Sequence, residues 1–320
     1  MRADLLPNLI VGGVNKAATT SLFAYLSLHP EICASSIKET RYFWPIAMGR
    51  PLPPLETYTA YFRSCGAERY RLEASPIYIF GGVELARAMR ETLGPIKLIF
   101  TLRHPVGRLL SYFKFEKARG NLPSGVTADD YARRALDEFP TVAPRMNGAP
   151  LNVYQQTAFL RGLAQGFYSD YLEQWYSVFP DSIRVIFFED FAADPGSVVR
   201  GLCAWLNLDP SIYDDTELIQ ENRSASHRSR LLFALANFTF NTAEPFWRKH
   251  PAVRSFLGSI HRRVNEKQSE GDRLSESVRA ELEAVYGPYN EKLRALLSQA
   301  GYRDFPAWVS GAGKLRQEVH

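Results

Sequence analysis

Residues 9–21, LIVGGVNKAATTS, decide the fold. The apolar residues 9–11 are typical of a buried strand, the glycine pair that follows allows a tight turn, and Thr20 begins a predicted helix. In this order the free backbone amides at the start of the helix face a bound anion. We therefore predict a phosphate-binding loop over residues 12–21, in which Lys16 adds a mobile positive charge. A phosphorylated nucleotide or a nucleotide-like donor suits such a loop.

The loop differs from that of the metal-dependent nucleotide hydrolases. Their pattern is G-x-x-x-x-G-K-[ST], whereas no glycine directly precedes Lys16 and alanines occupy positions 17 and 18. The strand predicted at 97–102 is followed by Arg103 rather than by an acidic residue. A metal-assisted nucleotidase is therefore disfavoured, and a purely structural strand-to-helix turn with a surface lysine stays open as the alternative.

The composition excludes several classes of protein. Of 320 residues, 46% are hydrophobic and 22% are charged, and the net charge of +4 is too mild for nucleic-acid binding without a clustered basic face. No apolar run approaches the roughly 20 residues that cross a bilayer, although peripheral membrane contact stays open. Cys33, Cys65 and Cys203 lie far apart in no metal-binding pattern, so we expect neither a disulfide nor a zinc site, and a reducing, cytoplasmic location.

Short runs rich in Val, Ile and Phe alternate with longer helical patterns, which indicates an α/β fold with a parallel sheet. We expect a P-loop-like, three-layer fold with a central parallel sheet flanked by helices, helical insertions, and a single domain over residues 1–320. The predicted strands are 8–12, 70–73, 97–102 and 183–188. The predicted helices are 20–27, 82–92, 105–118, 166–179 and 196–206.

Three stretches depart from this alternation. Residues 119–150 are polar and rich in turn residues, which predicts a variable surface insertion beside a substrate cleft. Residues 222–272 join a polar loop to an amphipathic segment rich in Phe, Leu and Trp, and we expect a helical region there. Residues 275–300 carry apolar positions at helical spacing, which a packing helix pair explains most simply.

A second strand end carries polar residues that suit the same ligand. Arg103 follows the strand predicted at 97–102, Pro105 can begin a helix, and Ser111 lies two turns further on. Because ligands bind outside the carboxyl ends of parallel strands, Arg103 and the loop at 12–21 can reach one ligand. Taken alone, Arg103 fits a surface residue that caps a helix, but beside the first loop its planar guanidinium favours a bidentate phosphate contact.

These two elements resemble those of the sulfotransferases that use 3′-phosphoadenosine 5′-phosphosulfate (PAPS). The 5′-phosphosulfate loop of that family, G-x-x-K-[AGS]-[AG]-T-[ST]-[SA], is matched by residues 13–21, GVNKAATTS, with Ala18 where glycine is usual. Its 3′-phosphate element, R-[DHN]-P-x-x-R-x-x-S-x-[YF], is matched by residues 103–113, RHPVGRLLSYF.

The resemblance spans residues 13–293 and is to the bacterial and heparan-sulfate-type carbohydrate branch. Residues 38–43, KETRYF, resemble K-E-x-H-[YF]-F with Arg41 where histidine is usual, and residues 73–78, EASPIY, resemble E-x-[ST]-P-x-Y. Further matches are to the G-x-Y, FP and ED core and to the closing helix motif, at residues 166–168, 179–180, 189–190 and 286–293. The six ordered matches are specific together, whereas no single one suffices.

The resemblance implies an enzyme that moves a sulfonate group from PAPS to a hydroxyl or amine of a carbohydrate, lipid or small metabolite, releases adenosine 3′,5′-bisphosphate and requires no metal. It implies two catalytic residues, Lys16 to stabilise the leaving 5′-phosphate and Glu39 as the base. Arg103 and Ser111 would bind the 3′-phosphate. The loop residues implied in cofactor binding are Gly13, Asn15, Lys16, Ala17, Ala18, Thr19, Thr20 and Ser21.

Several of these side chains have a plainer interpretation. Glu39 is equally well explained as an exposed carboxylate paired with Lys38 or Arg41. Arg228 is a further candidate cofactor-binding residue, at the cofactor mouth with Arg223 and His227, although a solvated charged loop also explains that cluster. His29 and His104 are expected to be structural. Candidates for the walls of the acceptor cleft are Tyr42, Phe43, Trp44, Tyr78, Tyr168 and Trp175, with core packing favoured for Phe43 and Trp175.

Acceptor specificity is expected in residues 44–69, in the insertion at 119–150 and in a helical acceptor-side region at 222–272. Two other functions stay open. A P-loop kinase or nucleotide hydrolase would share the strand, loop and helix but would need ATP and Mg²⁺. A non-catalytic protein that binds anions or nucleic acid is suggested only by the net charge and by the basic run at 223–230.

Overall fold

Five parallel strands form one sheet at the centre of the computed structural model, which describes residues 5–142, 156–214 and 272–311. The strands are β1 Leu9–Gly13, β2 Ile32–Ala34, β3 Tyr70–Ala74, β4 Lys97–Leu102 and β5 Ile183–Phe187. Their order across the sheet is β2-β3-β1-β4-β5. The register pairs Leu9 of β1 with Leu72 on one side and Lys97 on the other. The carboxyl end of β1 therefore lies between the carboxyl ends of β3 and β4.

Helices cover both faces of this sheet. Their bounds in the described part of the chain are α1 Thr19–Leu26, α2 Trp44–Ala47, α3 Leu55–Thr59, α4 Gly82–Leu93, α5 Pro105–Ala118, α6 Ala128–Val142, α7 Ala158–Ala164, α8 Tyr168–Val178, α9 Phe188–Ala193, α10 Pro195–Leu206, α11 Glu276–Gln299 and α12 Ala307–Ser310. Side chains of β1 alternate between two hydrophobic cores, Ile10 in one and Leu9 and Val11 in the other. The predicted three-layer α/β fold is confirmed.

The predicted elements agree with this architecture closely. The four predicted strands match β1, β3, β4 and β5 to within one residue, and the five predicted helices match α1, α4, α5, α8 and α10 to within two. The sequence does not predict β2, because its three residues are too few to show an alternating pattern.

The prediction that residues 119–150 are turn-rich is wrong for their described part, which ends at residue 142, whereas their role as a variable insertion stays a prediction. Most of that part is α6, and its residues Ala128, Tyr131, Ala132 and Ala135 are buried. These positions have the i, i+3, i+4, i+7 spacing of an amphipathic helix. The pattern is present in the sequence, but the surrounding Asp, Arg and Glu residues, which face outward, obscure it.

The prediction of a C-terminal helix pair is also wrong, since α11 is one helix of 24 residues with Pro288 inside it. Val278, Leu282, Leu293 and Leu297 of α11 are fully buried in the same core as Ile10. Their burial along the whole helix explains how it tolerates an internal proline. Residues 222–271 of the predicted acceptor-side region lie outside the described residues.

Cys33 and Cys65 form a disulfide with Cα atoms 5.6 Å apart, which contradicts the expectation of unpaired cysteines. Cys33 lies in β2 and Cys65 follows the short 3-10 helix Ala60–Phe62, so the pair is separated by 32 residues. The fold brings the two together because β2 and the segment after α3 lie side by side. Cys203 is buried and free.

We predict that reducing this disulfide lowers the free energy of unfolding by about 3–4 kcal/mol, because the unfolded chain regains the entropy that a closed loop of this length removes. Thermal unfolding with and without dithiothreitol measures the change. A Cys33→Ser/Cys65→Ser double variant should not respond to the reductant, whereas a Cys203→Ala variant should respond as the wild type does. An unchanged melting temperature in wild type whose thiols titrate as free would contradict the prediction.

Candidate active site

The predicted loop at 12–21 joins β1 to α1, and its glycines are required by close packing. A Cβ atom on Gly12 would lie 2.8 Å from Cε1 of Phe100, and one on Gly13 would lie 2.7 Å from Cγ2 of Ile79. Both distances are shorter than carbon atoms tolerate. The glycine pair therefore lets the loop lie directly against β4 and against the 3-10 helix that contains Ile79.

The left-handed residues of the loop are Lys16, at φ 69°, and Ala18, at φ 60°. An alanine in this region costs about 1 kcal/mol, which is the physical reason that glycine suits position 18 better. Ala18 directly precedes α1, has no side chain that could cap the helix, and is followed by no acidic residue in the first turn. The start of α1, with Thr19 and Ser21 buried in it, therefore presents its positive end to the loop.

Arg103 and Arg108 reach the loop from the element that follows β4. Nη1 of Arg103 donates to the carbonyl oxygen of Lys16 at 3.1 Å, and its guanidinium lies 4.3 Å from the ring centroid of Phe188. Arg108 is fully buried and donates from Nη1 to Oδ1 of Asn15 at 3.3 Å. Two consecutive loop residues are thus held by two arginines.

Arg108 is the second arginine of the motif at 103–113, but the sequence did not indicate its contact with the loop. Its other partners are neutral, Oε1 of Gln165 at 3.0 Å from Nη1 and the carbonyl oxygen of Gly162. Its Nε is buried without a hydrogen-bond partner. A buried guanidinium with an unsatisfied donor and no carboxylate favours an anion nearby.

The site holds an excess of positive charge. In the described residues, Lys16, Arg103 and Arg108 form no ion pair, and the Lys16 ammonium instead lies 4.5 Å from the ring centroid of Phe115. Burial, and after it the charges of Arg103 and Arg108, lower the pKa of Lys16 to about 8 against the opposing charges of Glu116 and Glu39. A bound polyanion would relieve this repulsion.

The turn that carries Arg103 is held by residues from distant parts of the chain. The hydroxyl of Tyr168 donates to the carbonyl oxygen of Arg103 at 2.8 Å, and the amide of His104 donates to Oε1 of Glu189 at 2.9 Å. The other oxygen of Glu189 accepts from Nε1 of Trp308, in α12, at 3.3 Å. The bond from His104 to Glu189 uses the backbone of His104, and the buried Nδ1 of its side chain has no hydrogen-bond partner in the described residues, so the predicted structural role of that side chain stays a prediction.

Ser111 lies on α5, two turns beyond Arg103, and is buried with 6% of its surface exposed. The structure therefore places Ser111 on the helix that follows Arg103, as the sequence predicts. Arg228, with Arg223 and His227, lies outside the described residues, so its predicted contact stays a prediction.

Glu39 lies close enough to Lys16 for its charge to raise the pKa of that lysine. It forms both of the ion pairs considered from the sequence, at 3.4 Å to Nζ of Lys38 and at 2.5 Å to Nη2 of Arg41. Burial acts to raise the pKa of Glu39, but the charge of Lys38 and the hydrogen bond and charge of Arg41 outweigh it and lower the pKa. Glu39 is therefore ionised at neutral pH.

Five of the six aromatic candidates for the cleft walls are buried with at most 6% of their surface exposed: Tyr42, Phe43, Tyr78, Tyr168 and Trp175. The core packing favoured for Phe43 and Trp175 is confirmed, and the cleft role of the three tyrosines is wrong. The five residues pack against one another or bind backbone groups, as Nε1 of Trp175 does when it donates to the carbonyl oxygen of Ile79 at 2.9 Å. Trp44 is half-buried. His29 is buried, as expected of a structural residue.

Comparison with known proteins gives the family. A family model described as a sulfotransferase domain matches residues 6–234. The chain is 24% identical over 305 residues to heparan sulfate glucosamine 3-O-sulfotransferase 6 of Mus musculus. The matched region covers 92% of this chain and 72% of that protein. It is 25% identical over 231 residues to the bifunctional heparan sulfate N-deacetylase/N-sulfotransferase of Drosophila melanogaster, which covers 65% of this chain. The matched part is 20% of the Drosophila protein, so the chain spans about a fifth of that relative.

A solved structure supports the fold. The sulfotransferase from Alicyclobacillus acidocaldarius superposes with a TM-score of 0.63 at 22% sequence identity, over 95% of this chain and 98% of that one. The match to the family model covers well over half of the chain and includes the loop at 12–21, Arg103 and Ser111. The chain belongs to the sulfotransferase family.

Proposed function

We propose that the protein is a PAPS-dependent sulfotransferase that acts on a hydroxyl or amine. The observation that supports this most directly is the convergence of Lys16, Arg103 and Arg108 on the end of β1 with no carboxylate partner in the described ranges. A donor with two separate phosphate groups supplies the negative charge that this arrangement lacks. The family to which the chain belongs uses such a donor, as the motif resemblance implies.

The residues present suit the two ends of the donor. The loop at 13–21, with Lys16 and the amino end of α1, would hold the 5′-phosphosulfate. Arg103 and Ser111 would hold the 3′-phosphate from α5 and the turn before it. The unsatisfied Nε of Arg108 lies beneath the loop, where its charge adds to the attraction for an anion. When bound, PAPS supplies the activated sulfonyl group.

Lys16 and Glu39 would divide the chemistry. A protonated Lys16 stabilises negative charge on the 5′-phosphate oxygen, and in the described ranges its ammonium lies over the ring of Phe115 and forms no ion pair with a carboxylate. Glu39 is ionised and lies at the same carboxyl end of the sheet as Lys16. It would accept the proton of the acceptor. Since its pKa is lowered, Glu39 is a weak base, and it would act late, when bond formation has made the acceptor proton acidic.

The proposed acceptor rests on the chemistry of sulfonate transfer and on the similarity to known proteins. The printed names of two relatives specify heparan sulfate, so a saccharide hydroxyl or amine is the first acceptor to test, ahead of a lipid or a small metabolite. None of the described helices is long and apolar enough to cross a membrane. The predicted cytoplasmic location assumed unpaired cysteines, and the Cys33–Cys65 disulfide removes that support, because disulfides persist in oxidising environments.

Titration calorimetry tests the donor assignment. We expect adenosine 3′,5′-bisphosphate to bind without metal and more tightly than ATP with Mg²⁺, because the site has a second cationic position for a 3′-phosphate. Tight binding of ATP with no affinity for the bisphosphate would reject the proposal in favour of a kinase or hydrolase. Transfer of labelled sulfate from PAPS to saccharide, lipid and phenolic acceptors then tests the activity itself.

An Arg103→Ala variant should bind adenosine 3′,5′-bisphosphate about 10- to 100-fold more weakly, the usual cost of a lost hydrogen-bonded charge contact. Its affinity for adenosine 5′-phosphate should fall less, because Arg103 reaches that group only through the carbonyl oxygen of Lys16. An Arg87→Ala variant is the matched control, since Arg87 forms an exposed ion pair with Glu84. Equal losses for both nucleotides would contradict the assignment of Arg103 to the 3′-phosphate.

The pH dependence of transfer should report Lys16. Because its pKa is about 8, kcat/KM for the donor should be constant below that pH and fall above it as the ammonium loses its proton. Lys16→Ala should abolish transfer, and Lys16→Arg should retain some transfer without the alkaline fall, since a guanidinium stays protonated.

The control for these variants is Lys97→Ala. Lys97 lies in the same sheet but pairs in register with Leu9, at the opposite end of β1 from the loop. Its variant should keep both the rate and the alkaline fall of wild type. Unchanged turnover in Lys16→Ala would exclude the proposed role of Lys16.

A further inference from the structure

Glu73 is a fully buried carboxylate in β3, and the proposed chemistry does not use it. In the described part of the chain it forms no ion pair, and four hydroxyl groups surround it instead. The donors are Thr40 to Oε1 at 2.5 Å, Ser75 to Oε1 at 2.7 Å, Tyr78 to Oε1 at 2.8 Å, and Tyr58 to Oε2. Oε1 of Glu73 therefore accepts three of these hydrogen bonds and Oε2 accepts one.

Three of these hydroxyls also accept hydrogen bonds from consecutive backbone amides. Oγ of Ser75 accepts from the amide of Arg41 at 3.0 Å, and the hydroxyl of Tyr78 accepts from the amide of Phe43 at 3.3 Å. Oγ1 of Thr40 lies 3.4 Å from the amide of Tyr42. A hydroxyl has a single proton, so donating it to Glu73 leaves its oxygen lone pairs directed at the amides.

The segment held in this way contains the candidate base. Glu39, at φ 68°, and Arg41, at φ 54°, are both in the left-handed region, which costs about 1 kcal/mol or more for each residue. The amide of Glu39 also donates to the carbonyl oxygen of Ala74, next to Glu73, at 3.0 Å. Such a conformation persists only where the surroundings hold it, and the surroundings here are the hydroxyls oriented by Glu73.

We propose that Glu73 is a positioning residue for sulfonate transfer. Through Thr40, Ser75 and Tyr78 it fixes the backbone of residues 39–43 so that Glu39 stays on the side of the sheet where Lys16 lies. Its effect on transfer rests on the proposed function, whereas its hold on the segment does not. Glu73 itself touches neither donor nor acceptor, because it has no exposed surface.

The test uses Thr40, because a change at the fully buried Glu73 can prevent folding. Thr40→Val keeps the shape of the side chain and removes the hydroxyl, whereas Thr40→Ser keeps the hydroxyl. Thr92→Val is the matched control, since Thr92 is also half-buried and its hydroxyl donates to a helix carbonyl at 2.7 Å, in α4. Glu73→Gln is added wherever it folds, since an amide group cannot accept four hydrogen bonds.

Amide hydrogen exchange measures directly how firmly the backbone of residues 39–43 is held. In Thr40→Val the amides of Arg41, Tyr42 and Phe43 should exchange about 10-fold faster than in wild type, since losing a buried hydrogen bond destabilises the local structure by that order. The amide of Val14, which donates to the carbonyl oxygen of Thr101, should be unchanged. Thr40→Ser and Thr92→Val should behave as wild type. Unchanged exchange in Thr40→Val would overturn the proposal.

Steady-state kinetics measures the effect of the same change on sulfonate transfer. In Thr40→Val, kcat with PAPS and a saccharide acceptor should fall about 10-fold, because the base is no longer held in place, and Thr40→Ser should restore it. The dissociation constant for adenosine 3′,5′-bisphosphate should stay as in wild type. An equal fall in donor affinity would mean that the whole site is disturbed and would overturn the positioning role.

Failure of the proposed function is recognised separately. Wild type would then neither bind the bisphosphate nor transfer sulfonate, and the role of Glu73 in transfer would fall with it. Active wild type with an equally active Thr40→Val variant would overturn only the role of Glu73.

Discussion

The mutual repulsion of three cations at the end of β1, Arg108 buried and Lys16 and Arg103 half-buried, is the constraint around which the site is built. Lys16, Arg103 and Arg108 are brought together by neighbouring parallel strands, and in the described ranges no carboxylate pairs with them. Burying like charges in this way is unfavourable unless an anion or well-placed neutral groups compensate. Arg108 is compensated by carbonyl and amide oxygens, and Lys16 by a lowered pKa. The remaining deficit of negative charge is what a doubly phosphorylated donor would supply.

The loop keeps this geometry because contacts on several sides leave it little freedom. Gly12 and Gly13 let it lie directly against Phe100 and Ile79, and the arginines hold it through Lys16 and Asn15. Behind them, Tyr168, Glu189 and Trp308 hold the turn that carries Arg103. Trp308 comes from α12, more than a hundred residues after the other two, so a distant part of the chain supports the candidate site from behind. The charged groups of such an arrangement are held in place before the reaction begins. This preorganisation favours the stabilisation of charge in a transition state.

The opposite side of the site is organised around covalent and hydrogen-bonded links to β3 and its neighbour. The Cys33–Cys65 disulfide closes the segment that contains Glu39 and Tyr58, and Glu73 joins Thr40 and Tyr58 to the end of β3. The aromatic residues of this segment form its packing, as in the stacked rings of Tyr42 and Tyr58, 4.2 Å apart. They therefore support the candidate base rather than line a cleft for the acceptor.

The sequence alone predicted the α/β class, four of the five strands in the described residues, the loop between β1 and α1 and the helix that carries Ser111, because each depends on a local pattern or on the rule that parallel strands end at one edge. It could not determine the disulfide, the hold of Arg108 on Asn15 or the cage of hydroxyls around Glu73. Those depend on contacts between distant positions, such as the 33 residues that separate Thr40 from Glu73, which no local spacing encodes. The sequence shows that the residues near Glu39 are aromatic. Whether they are buried in the core or exposed in a cleft depends on how the helices pack on the sheet.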